Sequence, residues 1–201
     1  MTMNFIPWIG ILLCIAGLAM IHISTKYVIK LSGLLLLYLG GGVMLLTSCS
    51  FQICLSLVIC GIGSSVLLGT GKPGQPDPAD FSENKIKRYF RGLLCLIFGL
   101  LAYALTERLR FWIPVRRTLL FVSLWISMLG VIGLTLDDHM ADRCIYIQCI
   151  CLAFTVSYVY MESSTLVFGC FAAINLMMAF GSSVLSSGMS SRQLTEEKEN
   201  S

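Results

Sequence analysis

Long apolar stretches that contain almost no charged residues take up most of the chain. Seven of them run over residues 5–23, 28–48, 51–69, 90–106, 118–136, 144–161 and 164–185. A helix needs about 20 apolar residues to cross the hydrocarbon core of a bilayer, which is roughly 30 Å thick. The pattern therefore predicts an all-α fold, a polytopic membrane helix bundle of about seven transmembrane helices.

The composition of the chain supports this class. Of the 201 residues, 56% are hydrophobic and only 12% are charged, whereas soluble domains contain about 25% charged residues. No charged residue occurs in the windows 1–25, 31–71 and 92–106. We therefore expect a multi-pass protein of a cell membrane, the bacterial inner membrane or its equivalent, that does not bind nucleic acid.

Polar segments divide the chain into four parts. Residues 1–69 hold a group of three spans and residues 90–185 a group of four spans. The segment 70–89 is predicted to be a cytoplasmic loop, irregular in its first half because of its glycines and prolines. The polar segment 186–201 is predicted to be a disordered tail.

The end of the long loop carries a basic collar before the fourth span. It consists of Lys85, Lys87, Arg88 and Arg91. Such a collar can bind anionic lipid or a partner. It is also the ordinary anchor of a span on the positive side of a membrane, which is the interpretation that we favour.

The distribution of basic residues favours one orientation. With the amino terminus outside, ten of the fourteen Lys and Arg residues lie inside and four lie outside. Inner loops normally hold the excess, so the amino terminus is predicted outside and the carboxyl terminus inside (N-out/C-in). The basic segment 107–117 contradicts this locally. Either it lies at the interface, with Phe111 and Trp112 among the headgroups, or one span is miscounted.

Few polar side chains lie inside the spans. Gln148 and Asn175 need hydrogen-bond partners that lipid does not offer, so we favour structural hydrogen bonds over substrate contacts for both. The two side chains can pair with each other if spans six and seven form a hairpin. Glu162 lies between those spans, either as a half-buried carboxylate with a raised pKa or, as we favour, as a turn residue that caps span seven. Lys30, at the start of span two, can extend its side chain to the interface.

Small residues mark the expected packing faces. Gly61, Ser65 and Gly69 recur every four residues on one face of span three, a pattern that lets helix backbones approach closely. This face is predicted to pack in an antiparallel hairpin with span two or against a partner subunit. The three glycines at 40–42 can serve the same purpose, or can unwind span two and line a cavity.

Catalytic and metal-binding patterns are missing from the sequence. The nine cysteines lie mostly within spans, where they act as small apolar residues. Cys144, Cys149 and Cys151 lack CxxC spacing and have only His139 nearby, so they make a weak metal site. We predict no catalytic, cofactor-binding or metal-binding residue, and no cofactor.

Two stretches of the chain carry a resemblance to known proteins. The first is LLLLYLGG at 34–41 followed by LVICGIG at 57–63, and the second is YMESSTLV at 160–167 followed by AAINL at 172–176. They resemble small membrane proteins of cyanobacteria and green non-sulfur bacteria. Those proteins are distantly similar to the small membrane subunits of complex I, the Mrp antiporters and group 4 hydrogenases.

This resemblance implies a scaffold or lateral subunit. The small complex I subunit carries glutamates within its spans that belong to the proton path, whereas spans two and three of this chain carry none. No site residue is therefore transferred from that family.

Two functional hypotheses follow. The first is a non-catalytic structural subunit of a larger membrane complex, respiratory or antiporter-like, held by lipid and by other membrane subunits. The alternative is a small transporter or channel for a neutral or hydrophobic solute, with a cavity near residues 40–42, Gln148 and Asn175.

Overall fold

The computed structural model of the protein describes residues 5–24, 26–70, 84–113, 115–137, 140–162 and 164–199. These ranges form α1 (Ile6–Ile23), α2 (Tyr27–Leu45), α3 (Phe51–Thr70), α4 (Asn84–Leu109), α5 (Arg117–Leu136), α6 (Met140–Met161) and α7 (Thr165–Glu199). They contain no β-strand. Each of the seven helices has a segment long and apolar enough to cross a membrane. The prediction of an all-α fold with seven such helices is confirmed.

Two helix ends differ from the predicted segments. α4 begins at Asn84, inside the segment predicted as a loop, although its apolar part is Tyr89–Leu109. α7 continues to Glu199, through the segment for which disorder is predicted. Polar helix formers such as Lys, Arg, Gln and Glu continue a helix beyond its apolar part, and hydropathy marks the apolar part alone. Residues 71–83 of the predicted loop lie outside the described residues.

Neighbouring helices pack as antiparallel hairpins around a shared core. α1 packs along α2, α2 along α3, and α5 along α6. α6 also contacts α2 and α7, and α3 contacts α7, so helices from both predicted groups share this core. Its fully buried side chains include Leu37 of α2, Leu57 of α3 and Leu152 of α6. α4 lies at the edge of the bundle, against α5 and α1.

Glycines bring the backbones of α1 and α2 into direct contact. A Cβ atom on Gly17 would lie 2.7 Å from the carbonyl oxygen of Gly33, and one on Gly40 would lie 2.8 Å from that of Gly10. Gly10 and Gly17 of α1 are separated by one heptad, as are Gly33 and Gly40 of α2, so each pair lies on one face of its helix. This contact therefore depends on glycine at all four positions.

The three consecutive glycines of α2 face three different helices. A Cβ atom on Gly40 would lie 2.6 Å from Cys14 Sγ of α1. One on Gly41 would lie 3.2 Å from a methyl group of Val156 in α6, and one on Gly42 would lie 3.0 Å from a methyl group of Val58 in α3. α2 is helical through these positions. The alternative of an unwound segment that lines a cavity is therefore wrong.

Candidate functional site

Four polar side chains meet inside the bundle and form what we call the polar core cluster: Tyr38 of α2, Gln148 and Thr155 of α6, and Asn175 of α7. The Tyr38 hydroxyl donates to Gln148 Oε1 at 3.0 Å. Gln148 Nε2 donates to the main-chain oxygen of Asn175 at 2.9 Å, and Asn175 Nδ2 donates to Thr155 Oγ1 at 3.1 Å. The hydrogen bonds tie α2, α6 and α7 together.

Burial explains why these four residues bind one another. Their side chains have at most 1% of their surface exposed, and a polar group buried without a partner costs roughly 1–3 kcal/mol. Thr155 completes the set by donating to the main-chain oxygen of Cys151 at 2.7 Å. The four side chains are uncharged, and these hydrogen bonds run between them and to main-chain oxygens.

The structure brings together two of the three predicted polar residues. Gln148 and Asn175 belong to the polar core cluster, whereas Glu162 lies beyond the end of α6 with an exposed side chain. There Glu162 accepts a hydrogen bond from the Tyr158 hydroxyl at 2.8 Å. This hydrogen bond joins Glu162 to the last turn of α6. Tyr38 was not among the residues predicted from the sequence, although a hydroxyl in the middle of an uncharged span is a usable signal.

The predicted stripe of small residues on α3 faces α2. A Cβ atom on Gly61 would lie 2.4 Å from the Cβ and Cγ atoms of Tyr38, so glycine is required there. Ser65 Oγ is buried and makes no hydrogen bond within the described residues. Gly69 is exposed, and its Cβ atom would make an ordinary contact of 3.5 Å with Leu31. The stripe therefore lies within the α2–α3 hairpin, and Gly61 is its tightest point.

Charged residues from four helix ends meet at one end of the bundle and form what we call the ion-pair cluster: Lys30, Arg91, Asp137 and Asp142. Lys30 Nζ lies 2.7 Å from Asp142 Oδ2 and 3.8 Å from Asp137 Oδ2. The Arg91 guanidinium pairs with the other oxygen of Asp137. Only 3% of Lys30 is exposed, so the expectation that it reaches the membrane surface is wrong.

Two further donors complete the shell around Asp137. The Tyr146 hydroxyl donates to Asp137 Oδ2 at 2.5 Å, and Arg143 Nε donates to the Asp137 main-chain oxygen at 2.7 Å. The His22 ring of α1 lies 5.3 Å from the Tyr146 ring. Burial alone would raise the pKa of Asp137, but the Tyr146 hydroxyl and the charges of Lys30 and Arg91 outweigh it and hold this pKa below its usual range.

The opposite end of the bundle contains the basic segment 107–117. The Arg117 guanidinium pairs with Glu107, and its central carbon lies 5.3 Å from the centre of the Tyr103 ring. Phe111 and Trp112 are 87% and 85% exposed in the turn after α4. One of the four basic residues of this segment thus has an acidic partner, and the two aromatic side chains project away from the bundle.

An apolar groove runs between α1 and α4. It encloses about 630 Å³ and is lined by residues from 15–23 of α1, from 89–96 of α4, and by Trp125 of α5. Trp125 Nε1 donates to the main-chain oxygen of Cys95 at 3.1 Å, which fixes the indole in the wall. The groove has the volume of a small-molecule site but almost no polar lining.

Comparison with known proteins does not assign the chain to a family. No protein-family model, curated protein or solved structure matches it. Among the residues that the structure describes, no group of three or more His, Cys, Asp and Glu side chains is placed to hold a metal ion.

Proposed function

We propose that the protein is a multi-pass integral membrane protein that acts as a non-catalytic structural subunit of a larger membrane complex, of the respiratory or antiporter-like kind. Its location is a cell membrane, the bacterial inner membrane or its equivalent. The amino terminus lies outside and the carboxyl terminus in the cytoplasm.

The filled interior of the bundle is the observation that carries this proposal. Gly10 and Gly17 lie against the backbone of α2, and the polar core cluster directs its donors to its own members and to main-chain oxygens. The site at which the alternative hypothesis places a cavity, around residues 40–42, Gln148 and Asn175, is packed. A helix bundle of this kind is suited to holding its shape beside other subunits.

The distribution of charge supports the proposed orientation. Lys30, Arg91 and Arg143 lie at the end of the bundle that the count of basic residues places in the cytoplasm. At the other end, Glu107 offsets one of the outer arginines, Arg117. The exposed Phe111 and Trp112 are residues of the kind that prefer the headgroup layer.

Fusion reporters test this orientation. Green fluorescent protein placed after Ser201 should fluoresce in a bacterial host, because it folds on the cytoplasmic side. Alkaline phosphatase at the same place should be inactive. An active phosphatase and a dark fluorescent protein would reverse the orientation, and release of the untagged chain by alkaline carbonate would contradict membrane insertion.

The outer face of α7 is the place where we propose the partner subunit binds. Met177 is 74% exposed on this face, and α7 continues as a helix from its apolar part to Glu199. A partner can therefore contact the same helix both within the membrane and in the cytoplasm. Leu100 of α4 is 73% exposed and offers a matched comparison.

Photo-crosslinking in the native membrane tests this partner. A photoreactive amino acid at Met177 should yield a crosslinked protein of higher mass, and the same amino acid at Leu100 should not. Purification in mild detergent should recover the chain within a larger assembly. A chain that purifies alone as a monomer and crosslinks to no protein at either position would refute the proposal.

A transporter of a hydrophobic solute is the second candidate, and the groove between α1 and α4 is the observation that favours it. Gly92 lies in this groove with no atom within 4 Å of an added Cβ, so Gly92→Leu should fill it. If the protein is such a transporter, the purified wild-type protein in lipid vesicles should accelerate uptake of a fluorescent apolar dye, and the Gly92→Leu variant should not. Equal rates in empty and protein-containing vesicles would rule this candidate out.

A further inference from the structure

The groove between α1 and α4 extends over roughly two-thirds to four-fifths of the thickness of one lipid leaflet. Residues 89–96 of α4 and 15–23 of α1 rise about 10 Å and 12 Å respectively, against about 15 Å for half of the hydrocarbon core. On α4 the groove begins at Tyr89, where the apolar part of the helix begins. Its other end lies at Trp125, near the middle of α5.

The lining of the groove is apolar and faces outward. Tyr89 and Leu96 are 80% and 68% exposed, so the groove opens to the side of the bundle. A bilayer offers acyl chains to such an opening. An apolar groove of this length is therefore suited to one acyl chain that lies along α4.

Positive charge precedes the groove on α4. The helix begins at Asn84, five residues before the groove, and its first two turns contain Lys85, Lys87 and Arg88 with no acidic residue among them. The next basic residue, Arg91, is paired with Asp137. Basic residues beside the cytoplasmic surface attract anionic lipids by about 1 kcal/mol each.

We propose that the groove binds an anionic phospholipid of the cytoplasmic leaflet. One acyl chain occupies the space between α1 and α4, and the phosphate headgroup lies against the basic first turns of α4. This inference rests on the proposed membrane insertion and orientation. It does not depend on the proposed partner subunit.

Native mass spectrometry of the purified protein tests the groove. Phosphatidylglycerol and phosphatidylcholine with identical acyl chains are added to delipidated protein, and bound lipid is counted. Gly92→Leu should lower phosphatidylglycerol binding about tenfold. Gly169→Leu is the matched control, because Gly169 of α7 also has no atom within 4 Å of an added Cβ and lies outside the groove; it should bind lipid as the wild type does.

A charge variant tests the headgroup. The triple variant Lys85→Gln, Lys87→Gln and Arg88→Gln should remove the preference for phosphatidylglycerol over phosphatidylcholine, a loss of about tenfold or more. Unchanged binding by Gly92→Leu, or equal binding of both lipids by the wild type, would overturn the proposal. The reporter fusions and carbonate extraction would show separately whether membrane insertion itself had failed.

Discussion

Individual polar residues inside the bundle act in pairs. Tyr38 and Gln148 lie on different helices, and each satisfies a group of the other that has no access to water. Lys30 and Asp142 form an ion pair in which 4% and 14% of the two side chains are exposed. Substitution of one partner therefore leaves a buried group without its hydrogen bond, and this cost exceeds the value of the bond itself.

The hydrogen bond between Tyr38 and Gln148 can be measured by a double-mutant cycle. Tyr38→Phe and Gln148→Leu should each lower the free energy of unfolding in mixed micelles. Their coupling should be about 0.6 kcal/mol and no more than about 1.7 kcal/mol, as for other hydrogen bonds between membrane helices. Tyr89→Phe, at an exposed position, is the control and should have little effect. Zero coupling would mean that the two side chains do not interact.

Substitution of Lys30 should destabilise the protein far more than substitution of its neighbour Lys26. Lys30→Met leaves the Asp142 carboxylate without its nearest cation and should cost about 3 kcal/mol. Lys26 is exposed, so Lys26→Met should change stability by about 0.5 kcal/mol or less. Thermal unfolding in detergent, followed by circular dichroism, compares the two. Equal effects would show that Lys30 is not paired in a buried site.

Helix pairs in this bundle are held by close backbone contact at glycines. The tightest pair is α1 and α2, where Gly17 and Gly33 leave no room for a Cβ atom. In the α2–α3 hairpin one glycine, Gly61, accommodates the Tyr38 ring. Small residues on a helix face therefore indicate that another helix packs there. The residues of the facing helix determine at which of these positions only glycine fits.

Alanine at Gly17 should separate α1 from α2. The new methyl group would lie 2.7 Å from the Gly33 carbonyl oxygen, and overpacking of this kind costs about 1–3 kcal/mol. Gly169→Ala places the same methyl group where no atom lies within 4 Å, so it should be neutral or slightly stabilising. Thermal unfolding of both variants in the same detergent checks this. A stable Gly17→Ala protein would contradict the close approach.

At the scale of the whole molecule, the ion-pair cluster joins the helices at one end. Lys30, Arg91, Asp137 and Asp142 belong to, or directly adjoin, α2, α4, α5 and α6, and His22 of α1 lies beside Tyr146. The peripheral α4 is tied to the end of α5 here by the ion pair between Arg91 and Asp137, and at the opposite end of the bundle by the pair between Glu107 and Arg117. The cluster should therefore control how firmly that end of the bundle is closed.

Acid should loosen the ion-pair cluster. The pKa of Asp137 is lower in the folded protein than its usual value, so its stabilising effect is complete above about pH 4 and is lost as pH falls through the folded pKa. Asp137→Asn should be less stable than the wild type at pH 7. The difference between the two should shrink below about pH 4. Melting temperatures in detergent from pH 3 to pH 7 would contradict this if the difference stayed constant.

The sequence by itself determined the class of fold and the positions of the helices. Uncharged runs of about 20 residues mark the apolar helices. Such a run can be read from consecutive residues, because it does not depend on contacts with distant parts of the chain. Hydropathy does not mark the polar extensions of α4 and α7, because helix propensity continues where the apolar residues stop.

The tertiary structure alone decided which residues meet. Gln148 and Asn175 were visible as buried polar candidates, but their partner Tyr38 lies 110 residues from Gln148 along the chain. The sequence indicated that Lys30 is a surface anchor, whereas in the structure Asp137 and Asp142 lie beside its ammonium group. Glu162 was expected to be a turn residue, and it lies after the end of α6 with an exposed side chain. Pairing depends on which faces of distant helices come into contact, and that is set by packing between helices.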